Sequence, residues 1–133
     1  MLTDNQIREI INQGKLKIDP FDEKNLKTSR YDIHLGRYIL KPKNANEIID
    51  LSDPKIQPEY EKIDILEDKF ILNPGDFVLG QTLEMIELDS DIGIFVDGSS
   101  TPARLGITIH QSATFIPPGQ DSHIITLEIF NAG

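Results

Sequence analysis

Phe70-Ile71-Leu72-Asn73-Pro74-Gly75-Asp76-Phe77-Val78-Leu79 is the stretch that decides the fold. Phe70 and Leu72 alternate with their neighbours, Asn73-Pro74-Gly75-Asp76 is a strong turn, and Phe77 and Leu79 resume the alternation beyond it. A period of two on both sides of a turn is the signature of strand, not helix. The same grammar repeats in both directions. Leu83–Leu88, Ile92–Val96, Gly106–His110 and Ile124–Phe130 read as strands on the C-terminal side, with Pro117-Pro118-Gly119 a rigid turn between the last two. On the N-terminal side, Lys15–Ile18 reads as a short strand stopped by Asp19-Pro20. Tyr31, Ile33 and Leu35 alternate, and Tyr38 and Leu40 follow beyond Gly36. Many short strands with frequent turn signals predict an all-β sandwich or distorted barrel. The stretch Lys41–Glu67 is polar and charged, and reads as an excursion from the sheet.

One helix is expected, at about 4–13. Thr3 stands as N-cap with Gln6 in capping-box position. Ile7, Ile10 and Ile11 form an apolar stripe, and Gly14 supplies the stop. That stripe is too narrow to be stable alone, so the helix must pack on the sheet.

A chain of 133 residues is long enough for one domain with a proper core. No apolar run approaches the roughly 20 residues that cross a bilayer, and Met1-Leu2-Thr3-Asp4 has no signal-peptide shape. The net charge of −9 argues against a nucleic-acid or anionic-membrane surface. The absence of cysteine fits a reducing cytoplasm. It also argues against zinc-dependent nucleobase chemistry, which uses thiolate ligands, and the three histidines at 34, 110 and 123 are too scattered for a structural zinc site. Water-activating chemistry here would fall to carboxylates, hydroxyls and backbone groups.

Charge is distributed unevenly. Between Phe70 and Gly133 a single Lys or Arg, Arg104, stands against eight Asp and Glu. Arg104 lies in Asp97-Gly98-Ser99-Ser100-Thr101-Pro102-Ala103-Arg104-Leu105-Gly106, a run of small and hydroxyl residues after an apolar strand. His110-Gln111-Ser112-Ala113 follows, and Glu128 is embedded in the apolar run Ile124–Phe130. A lone cation, several hydroxyls and a carboxylate set in apolar sequence suggest a site. Each also has a structural reading. Glu128 fits a solvent-facing strand position, Arg104 a stabilising pair with Asp97 or Glu128, and Ser99–Pro102 an ordinary turn.

Laid out in this order, the motifs resemble the dCTP deaminase family, within the trimeric dUTPase superfamily. The resemblance runs through Ser29-Arg30-Tyr31-Asp32-Ile33-His34-Leu35-Gly36, Ile49-Asp50-Leu51-Ser52, the 70–75 connector, Gly98 to Gly106, and Thr126-Leu127-Glu128-Ile129-Phe130-Asn131. It implies an all-β distorted jelly-roll, the β-clip, with a short N-terminal helix, assembled as a homotrimer with active sites between subunits. It implies zinc-independent deamination of dCTP to dUTP in the cytoplasm. Catalytic roles fall to Glu128, Arg104 and Ser100. Substrate contacts fall to Ser99, Ser100, Thr101, Arg104, Gln111 and the Ala113 backbone, and Mg2+ rides on the triphosphate. The resemblance further implies a single domain over 1–133 lacking the C-terminal strands and lid of relatives.

Two departures bear on activity. Ser99 stands where the family signature has its first basic residue, so a phosphate contact is missing. Pro117 stands where many members carry an Asp tied to pyrophosphate release, which argues against diphosphatase activity. Three functions therefore follow as expectations. The first is a dCTP deaminase. The second is a dUTP diphosphatase or bifunctional enzyme, and the third a non-catalytic nucleotide-binding or regulatory protein on the same fold.

Overall fold

The computed structural model of the chain describes residues 1–43, 46–112 and 114–133. Helix α1 covers Asp4–Asn12, one residue short of the expected end. Its capping box is complete. Thr3 Oγ1 accepts the Gln6 N–H at 3.3 Å, and Gln6 Oε1 accepts the Thr3 N–H at 2.9 Å. Gly14, at φ +74, takes the left-handed conformation after the helix and donates to the Ile11 carbonyl at 3.0 Å. Ile7 is buried, and Ile10 and Ile11 pack on the core from its edge.

The strands that follow are β1 (Leu16–Asp19), β2 (Leu26–Lys27), β3 (Arg30–Tyr31), β4 (Tyr38–Pro42), β5 (Tyr60–Asp64), β6 (Phe77–Leu88), β7 (Ile94–Phe95), β8 (Ile107–Thr108), β9 (Phe115–Ile116) and β10 (Gln120–Asn131). A five-residue helix α2, Ser100–Arg104, lies between β7 and β8. The main sheet has the order β5-β4-β6-β10-β8, with β1 also paired to β6, and β2–β3 and β7–β9 form separate ribbons. Every pairing is antiparallel.

The fold is organised by β6 and β10, each twelve residues long. Val78, Ile86 and Leu88 of β6 and Ile125, Leu127 and Ile129 of β10 point inward. They meet Leu16, Ile18, Ile39, Val96 and Ile7. Each buried Val, Leu or Ile contributes about 1.5–3 kcal/mol. The exposed pairs Lys15–Asp91 and Lys17–Glu87, which flank β1, contribute ~0–1 kcal/mol each. Apolar alternation therefore sets the register, and the ion pairs decorate it.

The structure revises several sequence expectations. Phe70 and Leu72 form no strand. At Leu79, β6 already has β4 on one edge and β10 on the other, so a returning strand finds no free edge. The 73–76 turn forms, with Asp76 Oδ2 accepting the Asn73 N–H at 2.9 Å. It hooks the end of β10 instead of closing a hairpin: Gly75 N–H donates to the Asn131 carbonyl at 2.7 Å, and Asn131 Nδ2 to the Leu72 carbonyl at 2.9 Å. Phe77–Leu79 and Leu83–Leu88 are one continuous strand. The polar 41–67 stretch carries β5, paired along the whole of β4 from Tyr38↔Asp64 to Pro42↔Tyr60. The segment 29–36 gives only the short β3 and an isolated bridge, Leu35↔Thr82. No helix among the described residues is long and apolar enough to cross a membrane.

Candidate functional site

Because Ile125, Leu127 and Ile129 face the core, Glu128 stands on the opposite face of β10, across from Leu79 of β6. Its N–H donates to the Ile109 carbonyl at 2.9 Å, which ties the strand to the segment leaving β8. Its side chain then reaches along that segment. Oε2 accepts the Gln111 N–H at 2.7 Å and the Ser112 N–H at 3.4 Å. The carboxylate is half-buried and held by one oxygen, and among the described residues no donor reaches Oε1. A carboxylate fixed in this way presents its second oxygen as an acceptor in a set direction. Sequence reasoning placed Gln111 near the site but missed the Ser112 amide, since backbone donors have no sequence signal.

The second half of the site is the 97–106 segment. Asp97 Oδ1 accepts the Gly98 N–H at 2.7 Å and lies 3.1 Å from His110 Nε2. The hydrogen bond to His110, and after it the Gly98 amide, holds the Asp97 carboxyl below its usual range. His110 thus joins the start of this segment to the residues that cradle Glu128, and it takes the Asp97 partnership that Arg104 was a candidate for. Ser99 stands at the N-cap of α2, with no side-chain cap bond, and Ser100, Thr101 and Arg104 follow on the helix, all exposed. Gly106 ends the turn at φ +83, and the Ala132 N–H donates to its carbonyl at 2.8 Å. A Cβ there would lie 2.6 Å from the Gly133 nitrogen, so this close approach requires glycine.

Gln111 and Glu128 are thus brought together. Ser99, Ser100, Thr101 and Arg104 are grouped on α2, and no hydrogen bond or ion pair joins them to Glu128 among the described residues. Ala113 lies outside the described residues. Arg104, expected as a cation set in apolar sequence, is exposed on a surface helix. His123 lies in β10, and its Nδ1 is 2.8 Å from the Asp121 carbonyl.

One polar cluster carried no sequence signal. Glu84 points from β6 into the core and is 1% exposed. Its Oε2 accepts the His34 N–H at 2.9 Å, and its Oε1 lies 2.7 Å from His34 Nδ1. His34 thereby locks the 31–36 segment onto the central strand.

A family model described as dCTP deaminase-like matches residues 1–133. The chain belongs to the dCTP deaminase-like family. Among relatives named "dCTP deaminase, dUMP-forming", the Streptomyces coelicolor protein is 36% identical over 98% of this chain and 69% of its own length. The Nanoarchaeum equitans protein is 37% identical, covering 98% and 73%. The Corynebacterium kroppenstedtii protein is 40% identical, covering 99% and 71%. The crystal structure of 2'-deoxycytidine 5'-triphosphate deaminase from Agrobacterium tumefaciens superposes with a TM-score of 0.70 at 20% identity. That match covers 98% of this chain and 41% of the other. At that identity the likeness carries the fold, the all-β dUTPase-like architecture expected from the motifs.

Proposed function

We propose that this domain catalyses the hydrolytic deamination of dCTP to dUTP and ammonia. The observation that carries this reading is the half-buried Glu128 carboxylate, fixed through Oε2 by two backbone amides, with no donor to Oε1 among the described residues. In the reaction a water adds to C4 of cytosine. Glu128 takes one water proton, which passes to N3, and then carries the remaining hydroxyl proton to the exocyclic amine; the C4–N bond breaks, ammonia leaves, and C4 becomes the carbonyl of uracil with N3 protonated. Proton shuttling by a positioned carboxylate is worth about 10²–10⁴-fold. Ser100 and Arg104 stabilise the developing charge, and Ser99, Ser100 and Thr101 contact the triphosphate. Among the described residues no group of three or more His, Asp or Glu is placed to hold a metal ion. The magnesium ion of this reading would ride on the triphosphate of the substrate.

The proposed assembly is a homotrimer with the site completed between subunits. Two features support it. Arg104 and the α2 hydroxyls are exposed, without a contact to Glu128 among the described residues. The sheet face that carries Glu128 also exposes Leu83 at 52%, Met85 at 39% and Ile124 at 42%, an apolar band suited to a second copy.

A second reading, a bifunctional enzyme that goes on to dUMP, is favoured by the relatives' names and opposed by Pro117. One experiment tests all of these. The protein is incubated with dCTP, and separately with dUTP, in the presence of magnesium, and the nucleotides are separated chromatographically. dUTP from dCTP is the expected result. dUMP with pyrophosphate would establish the second reading, and nucleotide binding without any product would establish a non-catalytic role. Glu128→Gln should lower deamination by at least ~10²-fold while leaving dCTP binding intact. Turnover that survives this change overturns the assignment of the base.

A further inference from the structure

The pairing of β6 with β10 is interrupted at one place. Ile124 lies opposite Met85, but Thr126 lies opposite Gln81. Three residues of β6, Thr82, Leu83 and Glu84, therefore face the single residue Ile125. Had the first register continued, Glu128 would stand opposite Gln81. It stands opposite Leu79, two residues further along β6. At about 3.4 Å per residue, the bulge displaces Glu128 by ~7 Å while keeping it on the same face.

Such an interruption strands backbone groups that must find other partners. The opposite edge of β6 is held over the same residues by the 34–36 segment, where the Leu83 N–H donates to the His34 carbonyl at 2.8 Å and the Gly36 N–H to the Gln81 carbonyl at 2.7 Å. Towards β10, one hydroxyl bonds a group on each strand, the Ile125 N–H and the Glu84 carbonyl. Thr82 Oγ1 accepts from Ile125 N at 3.0 Å and donates to the Glu84 carbonyl at 2.8 Å. Thr82 is 1% exposed, so water cannot substitute for it.

We propose that Thr82 is a positioning residue for the reaction: its hydroxyl holds the bulge that sets where Glu128 stands along the central strand. The inference rests on Glu128 being the catalytic base. It acts through register, because Glu128 must meet groups fixed elsewhere on that face. A misplacement of about 1 Å is enough to cost on the order of 10²-fold in rate.

The test compares Thr82→Val, Thr82→Ala and Thr82→Ser in steady-state dCTP deamination, with amide hydrogen exchange at Ile125 as the report on the bulge. Thr82→Val should lose kcat on the order of 10²-fold, with KM little changed and protection of the Ile125 amide lost. Thr82→Ser should restore both. If the valine variant does not fold, Thr82→Ala takes its place with the same expectation. A folded valine or alanine variant that loses Ile125 protection and keeps kcat overturns the inference, as does a serine variant no better than alanine. Glu128→Gln, measured in parallel, separates the two failures. If Glu128→Gln keeps turnover, the base assignment falls and takes this inference with it. If Glu128→Gln is inactive and Thr82→Val is not impaired, this inference falls alone.

Discussion

His34→Ala should be among the most damaging single substitutions outside the apolar core. Glu84 is 1% exposed, and among the described residues its carboxyl meets the backbone N–H and the Nδ1 ring nitrogen of His34 alone. Truncation removes the imidazole and leaves the Oε1 side of the carboxyl facing a void. Breaking a buried acid–base pair by deleting one partner costs about 3–5 kcal/mol. The His34 side chain is 52% exposed, so water enters the vacated space and holds the cost near the lower limit of ~3 kcal/mol. Unfolding entropy of about 2.1 cal/mol/K per residue gives ~0.28 kcal/mol/K for this chain, so the melting temperature should fall by roughly 11 °C. The assay is thermal unfolding by circular dichroism, run as a double-mutant cycle with Glu84→Gln. In the glutamine background only a neutral hydrogen bond is lost, and His34→Ala should cost about 1 kcal/mol. A fall of less than ~4 °C in the wild-type background, or equal falls in both backgrounds, would refute the argument that His34 answers for the buried carboxyl.

Other outcomes follow from the same geometry. Arg104→Ala should abolish deamination yet leave stability within about 0.5 kcal/mol, because Arg104 is exposed and has no ion pair among the described residues; a drop of several degrees in melting temperature would reveal a structural role. Asp97 is held below the usual carboxylate range by His110 first and the Gly98 amide second. A lowered folded-state value means its contribution to stability is present above the unfolded pKa of about 3.9 and is lost as pH falls through the folded value. His110→Gln should therefore raise the Asp97 titration midpoint observed by carbon NMR, and an unmoved midpoint would discount the pair.

The sequence was legible where one physical rule acted alone. The capping box at Thr3 and Gln6, the stop at Gly14 and the inward alternation of Ile125, Leu127 and Ile129 were all readable, because local chemistry and tertiary packing agree there. β5 was not. Tyr60-Glu61-Lys62-Ile63-Asp64 is an outer strand whose charges suit an exposed edge, and it is held by the Arg37–Asp64 pair and by Lys62 over the Tyr38 ring, contacts between distant residues. Phe70 and Leu72 alternate as a strand would, but strand formation also needs a free partner edge, which alternation does not encode. Glu128 and Gln111 were readable as a cluster of polar residues in apolar surroundings. The bulge was not, because Thr82 looks like any β-branched strand residue until the register on both sides of it is known.

The pairing of β6 with β10 also constrains how the chain is made. Phe77 joins the sheet opposite Phe130, so one long edge of the central strand waits for a partner 53 residues downstream. At ribosomal speeds of about 5–20 residues per second, that wait lasts roughly 3–10 s. During it, β6 displays unpaired backbone and the apolar side chains of Val78, Ile86 and Leu88 to solvent. Nascent chains on crowded polysomes share this same unfinished edge and can pair with one another. Soluble yield should therefore depend on elongation rate between Leu88 and Asn131, with faster synthesis or lower temperature shortening or quieting the exposed interval independently of the stability of the finished fold.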